Sequence, residues 1–348
     1  MQDINCRIEG RAGRITLNRP KALNALTWDM CLEIEQALLA WADDPAVALL
    51  VIDGLPCEKA FCAGGDLAQM YATGKAGDYD YGRRFWRDEY RLNAKIAEYP
   101  KPFLAFMQGF TMGGGVGLAC HGLHRVVCES SRIAMPECGI GLVPDVGGSA
   151  LLARAPGRLG EYLGLSGTRM GPDDAIFAGF ADIYIPRSLW PDLIATLCES
   201  GDPAVMERRA EAPPEGALRG RLPRIDAHFG GETLDDILNS LRAEDSDFAR
   251  DTLETLARHS PLSMACTVEI IHRLRGPATD IRRALELEYR FTHRSMDQGD
   301  LLEGIRAAVI DKDRAPKWQH GLDDPPLRAA ARMLEPLGEA ALTFEKEG

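Results

Sequence analysis

The chain of 348 residues is long enough for two ordinary domains, or for one large domain with a smaller one. Hydrophobic residues make up 45% of it and charged residues 26%, which is typical of a globular protein and excludes general disorder. The formal net charge of −12 argues against a nucleic-acid partner, although a local basic cluster in an acidic protein still binds phosphate.

The nine cysteines form no Cys-x-x-Cys spacing, and most have apolar neighbours in the sequence. They predict reduced core thiols in a cytoplasmic protein. The N-terminal residues carry no signal or transit pattern, and no apolar run approaches the roughly 20 residues of a membrane helix. We therefore expect neither secretion nor a membrane partner. His121 and His124 lack a third ligand motif, so no metal site is expected.

Strand and helix patterns alternate along the first half of the chain. Residues 13–18 alternate as a strand, a helix begins after Thr27, and residues 47–53 form a buried strand. The rhythm recurs with strands at 103–109 and 124–129, a helix starting near the glycines at 113–115, and a final helix and strand at 172–186. This order predicts an α/β layered fold.

The second half of the chain has a different pattern. Residues 203–224 are rich in Pro, Arg and Glu, which indicates a surface connection. Amphipathic helices are predicted downstream within 232–243, 247–259, 263–276 and 280–296. We therefore predict two regions, an α/β core over 1–202 and a mainly helical region over 203–348.

Two glycine-rich loops each follow a predicted strand, at residues 61–67 (FCAGGDL) and 109–122 (GFTMGGGVGLACHG). The second lacks the spacing of a dinucleotide-binding loop, and neither is a P-loop. Such loops present backbone N–H groups, and two converging N–H groups form an oxyanion hole for a developing negative charge.

Four motifs, in order, resemble the crotonase or enoyl-CoA hydratase/isomerase superfamily. They are LNRPKALNAL (17–26), AFCAGGDL (60–67), GFTMGGGVGLA (109–119) and MPECGIGLVPDVGG (135–148). The resemblance implies a crotonase-like spiral of β-β-α units that binds coenzyme A. It places the oxyanion donors at the N–H groups of Gly65 and Gly114, and assigns CoA binding to Lys21, Ala22 and Ala63. No cofactor is expected, because coenzyme A is part of the substrate.

One departure from the family pattern bears on the reaction. Hydratases of this superfamily use two glutamates, and Gly117 stands where the first would be. Without it, water addition to a double bond lacks half of its acid/base pair. The motifs at 135–148, 158–170, 285–296 and 303–318 instead resemble the 3-hydroxyisobutyryl-CoA hydrolase branch, which implies thioester hydrolysis in valine catabolism.

The resemblance to this branch also assigns roles to three carboxylates. Glu137 is expected to be the catalytic residue, either attacking the thioester or activating water, and the sequence leaves both routes open. Asp145 would orient water or the substrate hydroxyl, and Glu89 would accept a hydrogen bond from that hydroxyl. Substrate contacts are thus expected at Glu89, Gly114, Glu137 and Asp145. The acyl group is left open between 3-hydroxyisobutyryl and 3-hydroxypropionyl.

Other interpretations remain open at this level. Glu137 near a helix start, Asp145 before two glycines and Glu89 in a charged helix are also compatible with a cap, a turn and a solvated face. Lys312 either contacts phosphate or stays in solvent. The alternative functions are enoyl-CoA hydratase/isomerase activity and non-catalytic CoA binding. By the same resemblance, the helical region covers the active site, and a homo-oligomer formed through it is left open.

Overall fold

The computed structural model describes residues 2–54, 57–277 and 279–345. The strands within them are β1 (Ile4–Glu9), β2 (Ala12–Leu17), β3 (Leu49–Asp53), β4 (Ala60–Cys62), β5 (Phe103–Met107), β6 (Phe110–Met112), β7 (His124–Val127), β8 (Arg132–Ala134) and β9 (Ile183–Tyr184). The α-helices are α1 (Trp28–Ala42), α2 (Leu67–Lys75), α3 (Asp80–Ala97), α4 (Gly114–Ala119), α5 (Gly148–Arg154), α6 (Leu159–Ser166), α7 (Pro172–Phe177), α8 (Trp190–Ser200), α9 (Leu218–His228), α10 (Leu234–Arg242), α11 (Asp247–Leu256), α12 (Pro261–Leu274), α13 (Ile281–Gln298), α14 (Leu301–Ile305) and α15 (Leu327–Met333).

The strands form two sheets. The larger one has the order β1-β2-β3-β5-β7-β9 and is parallel except for the β1–β2 pair. The smaller one, β4-β6-β8, is parallel throughout. Consecutive strands β3–β4, β5–β6 and β7–β8 each place their first member in the larger sheet and their second in the smaller one, with helical residues following. This is the expected spiral of β-β-α units, and the α/β fold class is confirmed.

The chain divides into two compact units that interleave along the sequence. Unit 1 comprises Met1–Gly65, Arg91–Ala134 and Arg169–Arg219 and contains both sheets. One apolar cluster of its core lies between the larger sheet and α8, where Phe106 packs edge-on against the buried ring of Trp190. The nearly continuous apolar sequence of β3 and β5 follows from burial of these strands on both faces.

Unit 2 comprises Asp66–Tyr90, Met135–Thr168 and Gly220–Gly348, and it is helical over its described residues. Helices α5 and α6 pack against α12, α13 packs against α5, and α14 packs against α2. The mainly helical C-terminal region is thus as expected. The division at residues 202 and 203 stays a prediction, and the compact units follow a different course because the segments 66–90 and 135–168 pack with the C-terminal helices.

The stretch 203–224 was expected to be a surface connection, and this is wrong for part of it. Residues Pro203–Arg209 form a 3-10 helix, and α9 begins at Leu218. Met206 is buried in the core beside α8, and Leu218 is also buried, so two apolar side chains anchor a segment of polar composition. Arg, Glu and Pro make up most of this segment, so its composition does not indicate the two buried residues.

The remaining predicted elements agree with the structure to within a few residues. Thr27 is the N-cap of α1, and its hydroxyl accepts from the N–H of Met30 at 3.2 Å. No disulfide joins any two of the nine cysteines, all of which lie in the described residues. None of the helices described is both long and apolar enough to cross a membrane.

Candidate active site

The two glycine loops lie close together in unit 1. A Cβ atom added at Gly115 would come within 2.3 Å of the carbonyl oxygen of Cys62, so only glycine permits this approach of the second loop to the end of β4. Gly113, which precedes α4, has a φ of +48°. The N–H groups of Gly65 and Gly114 are not donors in the loop and turn hydrogen bonds of the described residues.

The residues expected to bind coenzyme A lie in the same part of unit 1. Lys21 and Ala22 are exposed in a 3-10 turn, Pro20–Ala22. The N–H of Ala63 donates to the carbonyl of Leu23 at 3.1 Å, which joins that turn to the loop after β4. Asn24 strengthens the join because its buried amide donates to the carbonyl of Phe61 at 2.9 Å. Lys312, in unit 2, is exposed. Binding of coenzyme A by these residues stays a prediction.

Glu137, in unit 2, is the first residue of a buried 3-10 turn, Glu137–Ile140. Its side chain is only 4% exposed, and its Oε2 atom has no hydrogen-bond partner among the described residues. Pro136 occupies the N-cap position, and no side chain caps the turn. Glu137 is therefore not the N-cap residue of this turn. A buried carboxylate with an unused oxygen is available for chemistry.

Asp145 and Glu89 are buried in unit 2 as well, each 4% exposed. The hydroxyl of Tyr90, the residue after Glu89 on α3, donates to Oδ2 of Asp145 at 2.7 Å. Burial excludes the interpretation of Glu89 as part of a solvated helix face. The Asp145 carboxylate is bound by a side chain 55 residues away along the chain, so its role exceeds that of a local turn former.

A fourth buried carboxylate, Glu288 on α13, lies in the same cluster. Both of its oxygens accept hydrogen bonds from the turn that follows Asp145: Oε2 from the N–H of Gly147 at 2.8 Å, and Oε1 from the N–H of Ser149 at 3.1 Å. The hydroxyl of Ser149 also donates to Oε1. We call Glu89, Glu137, Asp145 and Glu288, together with Tyr90, the carboxylate cluster.

Burial and mutual repulsion raise the pKa values throughout the carboxylate cluster. Burial, and then the charge of Asp145, raise the pKa of Glu89 and Glu137 well above their ordinary values. Burial raises the pKa of Asp145 to about 7. Burial and the Asp145 charge raise that of Glu288 to about 8. Since like charges close together resist simultaneous ionisation, the carboxyl groups of the cluster keep their protons to a higher pH than ordinary carboxyl groups do.

The structure thus places the expected site residues in two groups. Lys21, Ala22, Ala63, Gly65 and Gly114 belong to unit 1, and Glu89, Glu137 and Asp145 belong to unit 2. Their assigned roles stay predictions.

Sequence reasoning missed Tyr90 and Glu288 as members of the site. For Glu288 a signal existed, because the buried positions of α13 include Leu285, Glu288 and Thr292, which follow the helical period. A charged residue at a position that this period assigns to the core is rarely buried without a partner. Tyr90 gave no comparable signal.

The paired strands of unit 1, with one member in each sheet, define a crotonase-type α/β protein. The chain belongs to the enoyl-CoA hydratase/isomerase family, whose model matches residues 12–324.

Two curated relatives from vertebrates are similar over most of the chain. A protein of Gallus gallus named 3-hydroxyisobutyryl-CoA hydrolase, mitochondrial, is 38% identical over 328 residues, which are 91% of this chain and 84% of that protein. A protein of Xenopus tropicalis with the same name is 41% identical over 320 residues, or 89% and 82% of the two chains.

Two solved structures match nearly the whole chain. One, described as an enoyl-CoA hydratase from Rhodobacter sphaeroides 2.4.1, has a TM-score of 0.94 at 57% identity and covers 99% of this chain and 100% of its own. The other, described as a carnitinyl-CoA dehydratase from Mycobacterium thermoresistibile, has a TM-score of 0.93 at 39% identity with full coverage of both chains. The names of these four relatives cover three reactions of acyl-CoA esters.

Proposed function

We propose that the protein is a thioester hydrolase that cleaves 3-hydroxyisobutyryl-CoA, and by extension 3-hydroxypropionyl-CoA, to the free hydroxy acid and coenzyme A. The observation that carries the proposal is that Glu137 lies in the carboxylate cluster, whereas Gly117 occupies the position at which hydratases of the superfamily have their other glutamate. All residues of α4 are buried, and none of them is acidic. The names of the vertebrate relatives support the same reaction.

The proposed mechanism begins with the thioester oxygen. The N–H groups of Gly65 and Gly114 would bind the negative charge that develops there, and one such donor contributes roughly 10²- to 10³-fold in rate. Glu137 would then attack the carbonyl carbon or remove a proton from the attacking water. If Glu137 attacks, the C–S bond would break, coenzyme A would leave as the thiolate, and water would then hydrolyse the acyl–Glu137 anhydride to the acid and the free carboxylate. If Glu137 activates water instead, the oxygen of that water would bond to the carbonyl carbon as the C–S bond breaks, and the proton taken up by Glu137 would pass to the departing thiolate.

The environment of Glu137 suits a base. A carboxylate with a raised pKa binds a proton more strongly than an ordinary one, and general bases work best with a pKa near the working pH. Asp145 would orient water or the substrate hydroxyl, with Tyr90 holding its carboxylate. Glu89 would accept a hydrogen bond from the hydroxyl of the acyl group. No cofactor is proposed apart from the coenzyme A portion of the substrate.

The test is a thiol-release assay that compares 3-hydroxyisobutyryl-CoA with isobutyryl-CoA, which lacks only the hydroxyl. A buried polar site discriminates strongly against an analogue that leaves its groups unpaired, so we expect kcat/KM to be at least about 100-fold higher for the hydroxylated ester. Equal turnover of the two esters would contradict the role of Glu89. Absence of thiol release from both would contradict hydrolysis.

A second candidate function is hydration of an enoyl-CoA, which the description of the Rhodobacter sphaeroides relative favours. It predicts conversion of crotonyl-CoA without free thiol. Non-catalytic binding of coenzyme A predicts neither product.

We further propose that the reaction belongs to valine catabolism. We also propose that the protein works in a reducing compartment, the cytoplasm. Eight of the nine cysteines are buried, and no disulfide forms within the described residues. The vertebrate relatives are named mitochondrial, and fractionation of the native host distinguishes the two locations.

A further inference from the structure

The turn that carries Asp145 has an unusual backbone. Val146 has a φ of +54° and Gly147 one of +78°, and the N–H of Gly148 donates to the main-chain carbonyl of Asp145 at 2.7 Å. A β-branched residue in the left-handed region is strained, and such a conformation persists only where its surroundings hold it.

The side chain that holds this turn is Glu288. Its carboxylate accepts from two backbone N–H groups, those of Gly147 and Ser149, and from the hydroxyl of Ser149. These donors begin two residues after Asp145 and flank the bend. Glu288 is fully buried, so water does not compete for these hydrogen bonds.

We infer that Glu288 is a positioning residue for Asp145: by binding the backbone at Gly147 and Ser149, it fixes the strained turn that sets the direction of the Asp145 carboxylate. The hydroxyl of Tyr90 holds the same carboxylate directly, by donating a hydrogen bond of 2.7 Å to Oδ2 of Asp145. Glu288 need not touch the substrate. Its effect on turnover rests on the proposed function, whereas its effect on the turn does not.

Electrostatics adds a second consequence. The titratable groups that interact electrostatically with Glu288 are Asp145, Glu137 in its 3-10 turn, and Tyr90 on α3. The charge of Glu288 contributes to the raised pKa of both Glu137 and Tyr90. Above about pH 8, where Glu288 is ionised, replacement of Glu288 by a neutral residue removes this contribution to the pKa of Glu137, whatever it does to the turn.

The first test is Glu288→Gln, in which an amide NH₂ replaces one of the accepting oxygens and opposes an N–H donor. We expect kcat to fall about 10- to 100-fold, as for a small displacement of a reacting group, with KM changed less than about 3-fold. The acid limb of the kcat profile should move to lower pH where it overlaps the ionisation of Glu288 near pH 8, because above that pH the variant lacks one negative charge beside Glu137.

Two further variants separate positioning from general damage. Ser149→Ala removes one donor and keeps the Glu288 charge, so it should lower kcat by a smaller factor without moving the acid limb. Glu161→Gln is the matched control: Glu161 is a fully buried glutamate on α6 that is bound by Arg158 and Arg275. It should lower the melting temperature and leave both kcat and the acid limb unchanged.

A crystallographic comparison needs no turnover and keeps the inference separate from the proposed function. In Glu288→Gln, or in Ser149→Ala if the former does not fold, we expect Val146 to leave the left-handed region or the Tyr90–Asp145 hydrogen bond to lengthen beyond 3.5 Å. An unchanged turn would overturn the inference, as would wild-type kcat in Glu288→Gln. A wild-type enzyme that releases no thiol would instead overturn the proposed function.

Discussion

Glu137 combines burial with an oxygen that no side chain or backbone group of the described residues uses. Such a group is costly for the fold, because its charge is desolvated and repelled by Asp145. Among the residues that the structure describes, the charges that raise the pKa values of Glu89, Glu137 and Glu288 are themselves carboxylates. An arrangement that lowers stability and provides a basic carboxylate is typical of an active site.

The Glu137→Gln variant tests this role, since it keeps the side-chain volume and removes the nucleophile or base. We expect kcat for thiol release to fall roughly 10²- to 10⁴-fold, which is the range of acid/base catalysis. The melting temperature should not decrease, because a buried ionisable group is lost. Turnover within about 3-fold of wild type would contradict the assignment of Glu137 as the catalytic residue.

The resemblance of the motifs to the hydrolase branch predicts Glu89, Glu137 and Asp145 as site residues from the sequence. Their environment could not be predicted in the same way. The side chain of Asp145 is bound by Tyr90, and its turn is held by Glu288. Glu288 follows Asp145 by 143 residues in the sequence. Contacts of this kind depend on tertiary packing, which local residue patterns do not encode.

The C-terminal motif at 303–318 contacts the turn that begins with Glu137. A Cβ atom added at Gly304, on α14, would lie 2.1 Å from the carbonyl oxygen of Ile140. The neighbouring Asp300 lies against Gly141, whose φ is +77°. This motif is one of the four that resemble the hydrolase branch, and through Gly304 it packs directly against the turn that begins with Glu137.

The Gly304→Ala variant is expected to displace the 137–140 turn, because backbone atoms on both sides cannot give way as a flexible side chain does. We expect a loss of about 1 to 3 kcal/mol in the free energy of unfolding, the usual range for overpacking. The activity should fall at least about 10-fold, measured at a temperature where the variant is folded.

Gly220→Ala provides the control for this substitution. Gly220 is on α9, also in unit 2, and an added Cβ there meets no atom within 4 Å. This variant should retain wild-type activity and stability. Equal behaviour of the two variants would contradict a direct link between α14 and the 137–140 turn.

Periodicity predicted most of the elements well, including α1 with its Thr27 cap and the helices α10 to α13. It missed the second sheet, because β4, β6 and β8 have three residues each, too few to show a period. The expectation for residues 203–224 came from composition, which missed the buried side chains of Met206 and Leu218 among many charged residues.

The carboxylate cluster makes the free energy of unfolding of the whole protein depend on pH. The folded-state pKa of Asp145 is about 7, above its ordinary 3.8, and that of Glu288 is about 8, above 4.5. At a pH between the ordinary pKa of each group and its raised pKa, the folded protein keeps a proton that the unfolded chain has lost. The free energy of unfolding therefore falls as pH rises from about 4 to about 8 in this contribution.

The Asp145→Asn variant isolates one share of this effect. Below about pH 4 both proteins are neutral at this position, whereas at pH 7 and above only the wild type bears the cost of a buried charge. The stability of the variant relative to wild type should therefore rise with pH by about 1 to 4 kcal/mol, measured by denaturant unfolding. A difference that is constant or falls with pH would refute the proposed environment of Asp145.

Under the proposed function, a member of the enoyl-CoA hydratase/isomerase family hydrolyses a thioester instead of hydrating a double bond. The most direct measurement gives one preparation of the protein 3-hydroxyisobutyryl-CoA and crotonyl-CoA in parallel, and follows free thiol and the 3-hydroxyacyl-CoA product together. We predict thiol release from 3-hydroxyisobutyryl-CoA and no hydration of crotonyl-CoA above background. Hydration of crotonyl-CoA without thiol release from either ester would contradict the account.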